Sequence, residues 1–404
     1  MFNTSANVPA TEIESRIARL QRSLQKQNLD GALILQNSDL YYFSGTIQQS
    51  HLYIPADGEP VLMVRKSHER AMAESPLKII LVLDSPKKIP ALLKSRGLQA
   101  PLRLGMELDV LPVNLFRSYE YVFQGPDIVD ISPTLRLLRA VKSPYEIDLI
   151  TQAADFSDQV AAHARDIVRS GMTELELAGL VEGFARKLGH QGLVRMRHWG
   201  SEMFYGHLLC GASAAVPSFL ASPTGGAAAN PAVAQGAGHT RIAPHQPILL
   251  DYVFAFNGYI SDHTRIFALG SLPDDLLAAH NVMLQVQARI KKEAKPGITA
   301  GFLYDLALHL AEEAGYGAHF MGAEQPRIRF VGHGVGLELD ELPILAQGQE
   351  MLLEENMVLA IEPKLIFPGQ GVVGIENTHI VTSDGLKQLG QYPDDITIVQ
   401  MDKT

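Results

Sequence analysis

A single cysteine, Cys210, stands in 404 residues. No intrachain disulfide can form, which fits a reducing compartment. Long apolar runs are missing too: no stretch reaches the roughly 18 residues that a membrane-spanning helix needs. The opening residues, MFNTSANVPATEIESR, carry no basic-then-apolar leader pattern. Basic residues are in short supply, with 34 Lys and Arg against 44 Asp and Glu, a net charge of −10. That argues against a nucleic-acid partner, and no basic run reverses it. The expectation is a cytoplasmic protein free of membrane and nucleic acid. Apolar residues make up 46% of the chain, enough for a sizeable core, and the length suggests two domains or one large one.

The first third alternates strands and helices. Ile13, Ile17, Leu20 and Leu24 recur at helical spacing. Ala32 to Leu35, Pro60 to Val64 and Ile79 to Leu83 are short apolar strands, with a helix over Lys87 to Arg96 among them. This predicts an α/β domain of its own. Tyr41, Tyr42 and Phe43 read as core or interface. A boundary falls between Ser132 and Lys142, and the domains are taken as 1–138 and 139–404. Beyond it, Ser143-Pro144-Tyr145-Glu146 is a capping box with proline at the first helical position. Thr173 and Glu176 open a second helix, to about Leu188. Two more are predicted over Asp274–Lys295 and Ala300–Ala314. Between these helix pairs, Gly211 to Gly238 is rich in Ala, Gly, Ser and Pro and reads as a rim or lid.

That loop runs into the stretch PILLDYVFAFNGYISDHTRIFALG, Pro247 to Gly270. Asn257-Gly258 between apolar runs signals a two-residue hairpin turn, because both residues tolerate positive φ. Such a turn sets Phe256 opposite Tyr259, Val253 opposite Asp262 and Asp251 opposite Thr264. Residues two apart on a strand share a face, so Asp251 and Asp262 are diagonal neighbours. Two carboxylates this close in an apolar hairpin need a proton or a divalent cation. A second acidic pair lies further along. A hairpin centred on Gly369 sets Glu362 opposite Glu376. Between the pairs lies His333, in Gly332-His333-Gly334-Val335-Gly336. A nucleotide loop fails on detail there, with neither G-x-G-x-x-G nor Lys-Ser/Thr. Two Asp, one His and two Glu form a hard, mostly oxygen donor set. It suits two divalent ions such as Mn, Co, Fe or Zn, which can share a bridging water and lower its pKa.

The order Asp251, Asp262, His333, Glu362, Glu376 resembles the five-ligand set of the M24 metallopeptidase family, which includes Xaa-Pro aminopeptidase, prolidase, methionine aminopeptidase and creatinase. The matching motifs are Leu250-Asp251, Ser261-Asp262-His263-Thr264-Arg265, Gly332 to Leu337, Ile361-Glu362-Pro363 and Ile375-Glu376-Asn377. The N-terminal part resembles the creatinase/prolidase N-terminal domain. The resemblance implies a mixed α/β (α+β) fold, with a pita-bread catalytic domain whose curved antiparallel sheet holds the metals. It also implies a homodimer. Carried over residue by residue, Asp251 and Glu376 bridge both ions, Asp262 completes one, and His333 and Glu362 hold the other. Glu362 also serves as general base toward the bridging water.

Three positions depart from the peptidase pattern. Ser218 and Asp340 stand about where two peptidase His residues are expected, and Gly374 where an Arg is. Asp340 would put an anion at the pocket wall, and it could act as a base. Ser218, His207 and Tyr205 are the substrate-binding candidates, with Trp199 and His198 nearby. The expected function is a dinuclear-metal hydrolase of the Xaa-Pro dipeptidase or aminopeptidase type, acting on short peptides through a metal-bridging hydroxide. The alternative is a non-peptide enzyme of the same fold, a creatinase-like hydrolase or a lyase, acting on a small, cationic metabolite.

Overall fold

The computed structural model describes residues 7–203, 205–218, 222–323 and 327–401. The chain divides into two compact units, Met1–Arg139 and Ala140–Thr404.

The first unit contains strands β1 (Gly31–Ile34), β2 (Ser50–Pro55), β3 (Val61–Val64), β4 (Ile79–Val82), β5 (Arg103–Met106) and β6 (Asp127–Asp130). They form one mixed sheet in the order β4-β3-β2-β1-β5-β6. Its helices are α1 (Ala10–Lys26), α2 (Asn37–Ser44), α3 (His68–Glu74), α4 (Ile89–Ser95), α5 (Val113–Phe123) and α6 (Ser132–Ala140), the last running just past the division. Helix α1 buries Ile13, Ile17, Leu20 and Leu24, the stripe its spacing predicts. Tyr42 and Phe43 lie on α2 and are buried.

In the second unit, α7 (Pro144–Ile167) and α8 (Glu174–Leu188) both begin at capping boxes. The Ser143 hydroxyl accepts from Glu146 N at 3.2 Å, and the Glu146 carboxylate accepts from Ser143 N at 2.9 Å. Each box satisfies two backbone donors that would otherwise lack partners. The strands of this unit are β7 (Gly206–Cys210), β8 (Ile248–Phe256), β9 (Tyr259–Leu269), β10 (Phe330–Gly334), β11 (Glu341–Ala346), β12 (Val358–Ile361), β13 (Lys364–Phe367), β14 (Gly371–Gly374), β15 (Asn377–Thr382), β16 (Gly385–Gln388) and β17 (Thr397–Val399). Helices α9 (Asp274–Glu293) and α10 (Ala300–Glu313) lie between β9 and β10 in the chain. The strands make sheets ordered β17-β9-β8-β7 and β11-β10-β12-β15-β16, with β13-β14 as a separate ribbon. Helices α9 and α10 pack on β10 to β14 through Met283, Val286, Leu303, Ala307 and Val331. Helices α7 and α8 cover the β7–β9 face through Val160, Val181, Leu250 and Phe254.

Two registers place the acidic side chains. The β8–β9 hairpin pairs Phe256 with Tyr259, Val253 with Asp262 and Asp251 with Thr264. Asn257 has φ 48° and Gly258 φ 92°, the positive values that a two-residue turn requires. In the second hairpin, Phe367 pairs with Gly371 and Lys364 with Gly374. Ile361 pairs with Asn377 and Val358 with Ile380. Both ladders keep one register across Pro363, so Glu362 lies opposite Glu376 at the break between them.

Candidate metal centre

Five side chains on or beside the strands converge. Asp251 on β8 and Asp262 on β9 share a face, and Glu362 and Glu376 stand at the junction of the β12–β15 and β13–β14 ladders. His333 comes from β10, paired with Ala360 of β12. Its surrounding glycines have a steric cause. A Cβ on Gly332 would come within 2.4 Å of Ala360 O, and one on Gly334 within 2.3 Å of Leu342 O. Side chains there would push β10 off its neighbours. The two halves are stitched where Thr264 N donates to Glu376 O at 3.2 Å and the Thr264 hydroxyl donates to Glu376 Oε2 at 2.8 Å. Thr378 Oγ1 accepts from Asp262 N and donates to Asp262 O, both at 2.9 Å.

The donor atoms fit a divalent cation. Asp262, His333 and Glu376 are buried, and one ligand atom from each lies within 4.8 Å of the others. His333 Nδ1 is 3.1 Å from Gly334 O, a bond that puts the proton on Nδ1 and leaves the Nε2 lone pair open to a cation. Nε2 in turn faces Asp262 Oδ2 at 3.8 Å and Glu362 Oε1 at 3.7 Å. Asp262 Oδ1 is buried and has no hydrogen-bond partner among the described residues. A buried carboxylate oxygen left open on a member of such a cluster is a place a cation would satisfy. The charges agree. Burial, then Glu376 and Asp251, pushes the Asp262 carboxyl well above the ordinary carboxylate range. Burial also pushes Glu376 up, to about 7, against the pull of Lys364. At His333 burial works against the imidazolium, but Asp340, Glu362 and Glu376 raise its pKa. The cluster as a whole calls for positive charge.

Part of that charge is built in. Lys364 Nζ donates to Asp251 Oδ2, Glu362 Oε2 and Glu376 Oε2, each at 2.9 Å. Burial works against the ammonium, yet Asp251, Glu362 and Glu376 prevail and hold its pKa well above the ordinary lysine value. Sequence reasoning passed over this residue. The signal was available: Lys364 lies two positions after Glu362, and alternate strand residues share a face. The expectation of two ions took no account of it.

A cavity opens over the centre, lined among others by Met196, His198, His207, Phe330, Leu339 and Asp340. Asp340 Oδ1 is 3.8 Å from His333 Nδ1, and the side chain is 27% exposed, so it is a wall group and not a loose surface carboxylate. Its segment is held by Glu341, whose partners the sequence does not reveal. Glu341 Oε1 accepts from Leu337 N at 2.9 Å and from Glu338 N at 3.1 Å, and Oε2 lies 3.1 Å from Lys142 Nζ. His207 lines the cavity but is already engaged. Nδ1 meets Thr224 Oγ1 at 3.1 Å and Nε2 meets Gln235 Oε1 at 2.8 Å, and burial lowers its pKa. It is held as a neutral ring, so it does not supply a freely titrating imidazole.

Two of the substrate-binding candidates fall elsewhere. Tyr205 does not line the cavity; it packs on His190 at 4.3 Å and Tyr252 at 6.0 Å. The cause is Gly206, whose φ of 141° breaks strand alternation between Tyr205 and His207. Ser218 is not a lining residue either, whereas Ser201 and Ser222 are. Trp199 is 98% exposed, and His198 lines the cavity. The Gly-rich loop is a rim in part, since its Ser222 and Gln235 reach the cavity wall; its residues 219–221 lie outside the described ones.

The chain is similar to known proteins over most of its length. Residues 16–141 match the creatinase/prolidase N-terminal domain and residues 148–383 match metallopeptidase family M24. An Xaa-Pro dipeptidase of Pyrococcus furiosus is 28% identical over 381 residues, covering 93% of this chain and 98% of that protein. The prolidase structure of Pyrococcus horikoshii superposes with TM-score 0.79 at 26% identity, over 94% of this chain and 99% of that one. An Xaa-Pro dipeptidase of Bacillus anthracis shares the fold, with TM-score 0.81 at 24% identity, over 96% and 99%. Among the described residues no helix is long and apolar enough to cross a membrane. The mixed α/β units, the carboxylate-histidine cluster and the match over most of the second unit lead to one conclusion: the chain belongs to metallopeptidase family M24, and it is a hydrolase of the peptidase class.

Proposed function

We propose that the chain cleaves short Xaa-Pro peptides, releasing proline, with a divalent ion held by Asp262, His333, Glu376 and Glu362. The observation that carries the reading is the convergence of Asp262, His333 and Glu376 within 4.8 Å beneath an open cavity. The names of the relatives support the substrate class. A bound divalent ion supplies Lewis acidity, acidifying water and polarising the scissile carbonyl. The chain's own residues do the rest. Glu362 takes the proton of the attacking water and returns it to the leaving nitrogen. Thr264 and Lys364 hold Glu376 from the side away from the cavity. Met196, Phe330 and Leu339 give the peptide a dry wall. A homodimer and a cytoplasmic location belong to the same proposal.

Proline release from Ala-Pro and Gly-Pro by Mn- or Co-loaded protein tests it. Turnover abolished in Asp262→Asn is the expected result. A protein with metal shown to be bound and no turnover on either dipeptide would sink the reading.

One observation favours a second reading. Asp340 at the cavity wall would repel the free carboxylate of a dipeptide and attract a cation. On that reading the enzyme acts on a small cationic metabolite. A screen of such compounds would then find binding that is lost in Asp340→Asn.

A further inference from the structure

We propose that the Lys364 ammonium takes one of the two cation positions of the carboxylate cluster, so that the centre holds one divalent ion and not two. The inference deepens the metal-hydrolase reading and rests on it.

Three oxygens point at one place. Asp251 Oδ2, Glu362 Oε2 and Glu376 Oε2 come from three separate strand segments and meet 2.9 Å from Lys364 Nζ. An ammonium has three N–H donors and no lone pair. Here each donor has one carboxylate, so the group is fully used and adds nothing as a ligand. A divalent ion bound by the same oxygens would lie about 2.0–2.2 Å from each. On the lysine's side of those oxygens, that is inside the volume the nitrogen fills.

The lysine is not a surface chain that can swing aside. Its side chain is 1% exposed. Its cross-strand partner is Gly374, at φ 148°. A Cβ at position 374 would come within 2.4 Å of Pro363 O and 3.1 Å of Lys364 Cγ. The stem therefore runs through space that a side chain on the opposite strand would claim. Glycine at 374 and lysine at 364 form one steric unit.

What remains for metal is a single position on the other side of the same carboxylates. Glu362 turns Oε2 to Lys364 and Oε1 toward His333 Nε2, at 3.7 Å. Glu376 receives both the Lys364 and the Thr264 bonds on Oε2, so Oε1 is the oxygen left for a cation. With Asp262 these groups surround one ion. The charge is consistent. Four carboxylates, one ammonium and one divalent ion leave a single negative charge, whereas a second divalent ion would make the buried cluster net positive. The lysine thus takes over the anchoring of Glu362 and Glu376 that a second ion would provide, without Lewis acidity.

The test uses the full chain, stripped with chelator, reloaded with excess Mn(II) and freed of unbound ion. Metal per chain is measured by elemental mass spectrometry, and the spectrum by electron paramagnetic resonance. The expected result is one Mn per chain with the hyperfine pattern of an isolated ion. Lys364→Ala is expected to double the content to two per chain, with a spin-coupled spectrum. Should that variant not fold, Lys364→Met keeps the packed stem and removes the charge, with the same expectation. Wild-type protein carrying two ions, or none, overturns the proposal. So does a folded Lys364 variant that still stops at one. No substrate enters the measurement, so failure to cleave Xaa-Pro peptides would leave this result standing, and a two-ion result would leave the peptidase reading standing.

Discussion

Replacing Glu341 with glutamine tests how the wall of the cavity is held in place. Glu341 and Lys142 are 5% and 1% exposed, 3.1 Å apart. The variant keeps an oxygen for the backbone donors of Leu337 and Glu338, but strands the Lys142 ammonium in the interior. Ala140 O, 3.2 Å away, remains a partner and does not neutralise it. Breaking a buried ion pair from one side costs about 3–5 kcal/mol, because the remaining charge stays desolvated. For a unit of this size each kcal/mol lowers Tm by about 2–4 °C, so the loss is roughly 6–20 °C. Lys142→Met alone is expected to cost a similar amount, because the buried Glu341 carboxylate loses the ammonium 3.1 Å from it. The double variant is expected to recover at least half of the summed loss, since neither charge is then stranded. Scanning calorimetry of the four proteins measures the coupling. Single-variant shifts under about 2 °C that add in the double variant would refute the reasoning, and the Gly336–Asp340 segment would then be held by its backbone alone.

Acid should destabilise the protein from a defined point. Burial lowers His51 from 6.5 to about 4, and His263 and His379 to about 3. Their folded pKa values lie below the unfolded one, so the contribution of the neutral rings is complete above pH 6.5 and is lost as pH falls through 6.5 toward 4. For His51 alone the shift corresponds to about 3 kcal/mol. Urea midpoints constant between pH 7 and pH 4.5 would contradict this. Asp262→Asn should weaken Mn binding by at least about 100-fold, since even outer partners of ligands cost 10- to 100-fold; an unchanged dissociation constant by calorimetric titration would remove Asp262 from the centre. Gly374→Ala should lower stability by about 1–3 kcal/mol, because φ 148° is open only to glycine and Pro363 O blocks the Cβ. A urea midpoint equal to that of the wild type would show that β13 and β14 can part there.

What could be read from the sequence was what short-range rules govern. Asn257-Gly258 prescribes a turn, the turn prescribes a register, and the register puts Asp251 beside Asp262. Glu362 and Glu376 came from the same reasoning, although Pro363 interrupts the strand between Glu362 and Lys364. Lys364 joins the cluster by its charge and not as a metal donor, so a search for ligand-type residues passes it over. Among the substrate-binding candidates His207 lines the cavity, whereas the placing of Tyr205 depends on where the chain enters a strand. Tyr205 would face the cavity with His207 if the strand began one residue earlier; the positive φ of Gly206 turns it to His190 instead. Glu341 could not be found from spacing. Its partner Lys142 lies 199 positions away, and only the fold brings them together.

The ammonium of Lys364, set on three carboxylates at 2.9 Å, is a counter-charge joined to the chain by covalent bonds. It cannot be chelated, diluted or exchanged for a competing ion. The carboxylate cluster therefore keeps part of its neutralisation at any metal supply, and its assembly during folding does not have to wait for an ion to arrive.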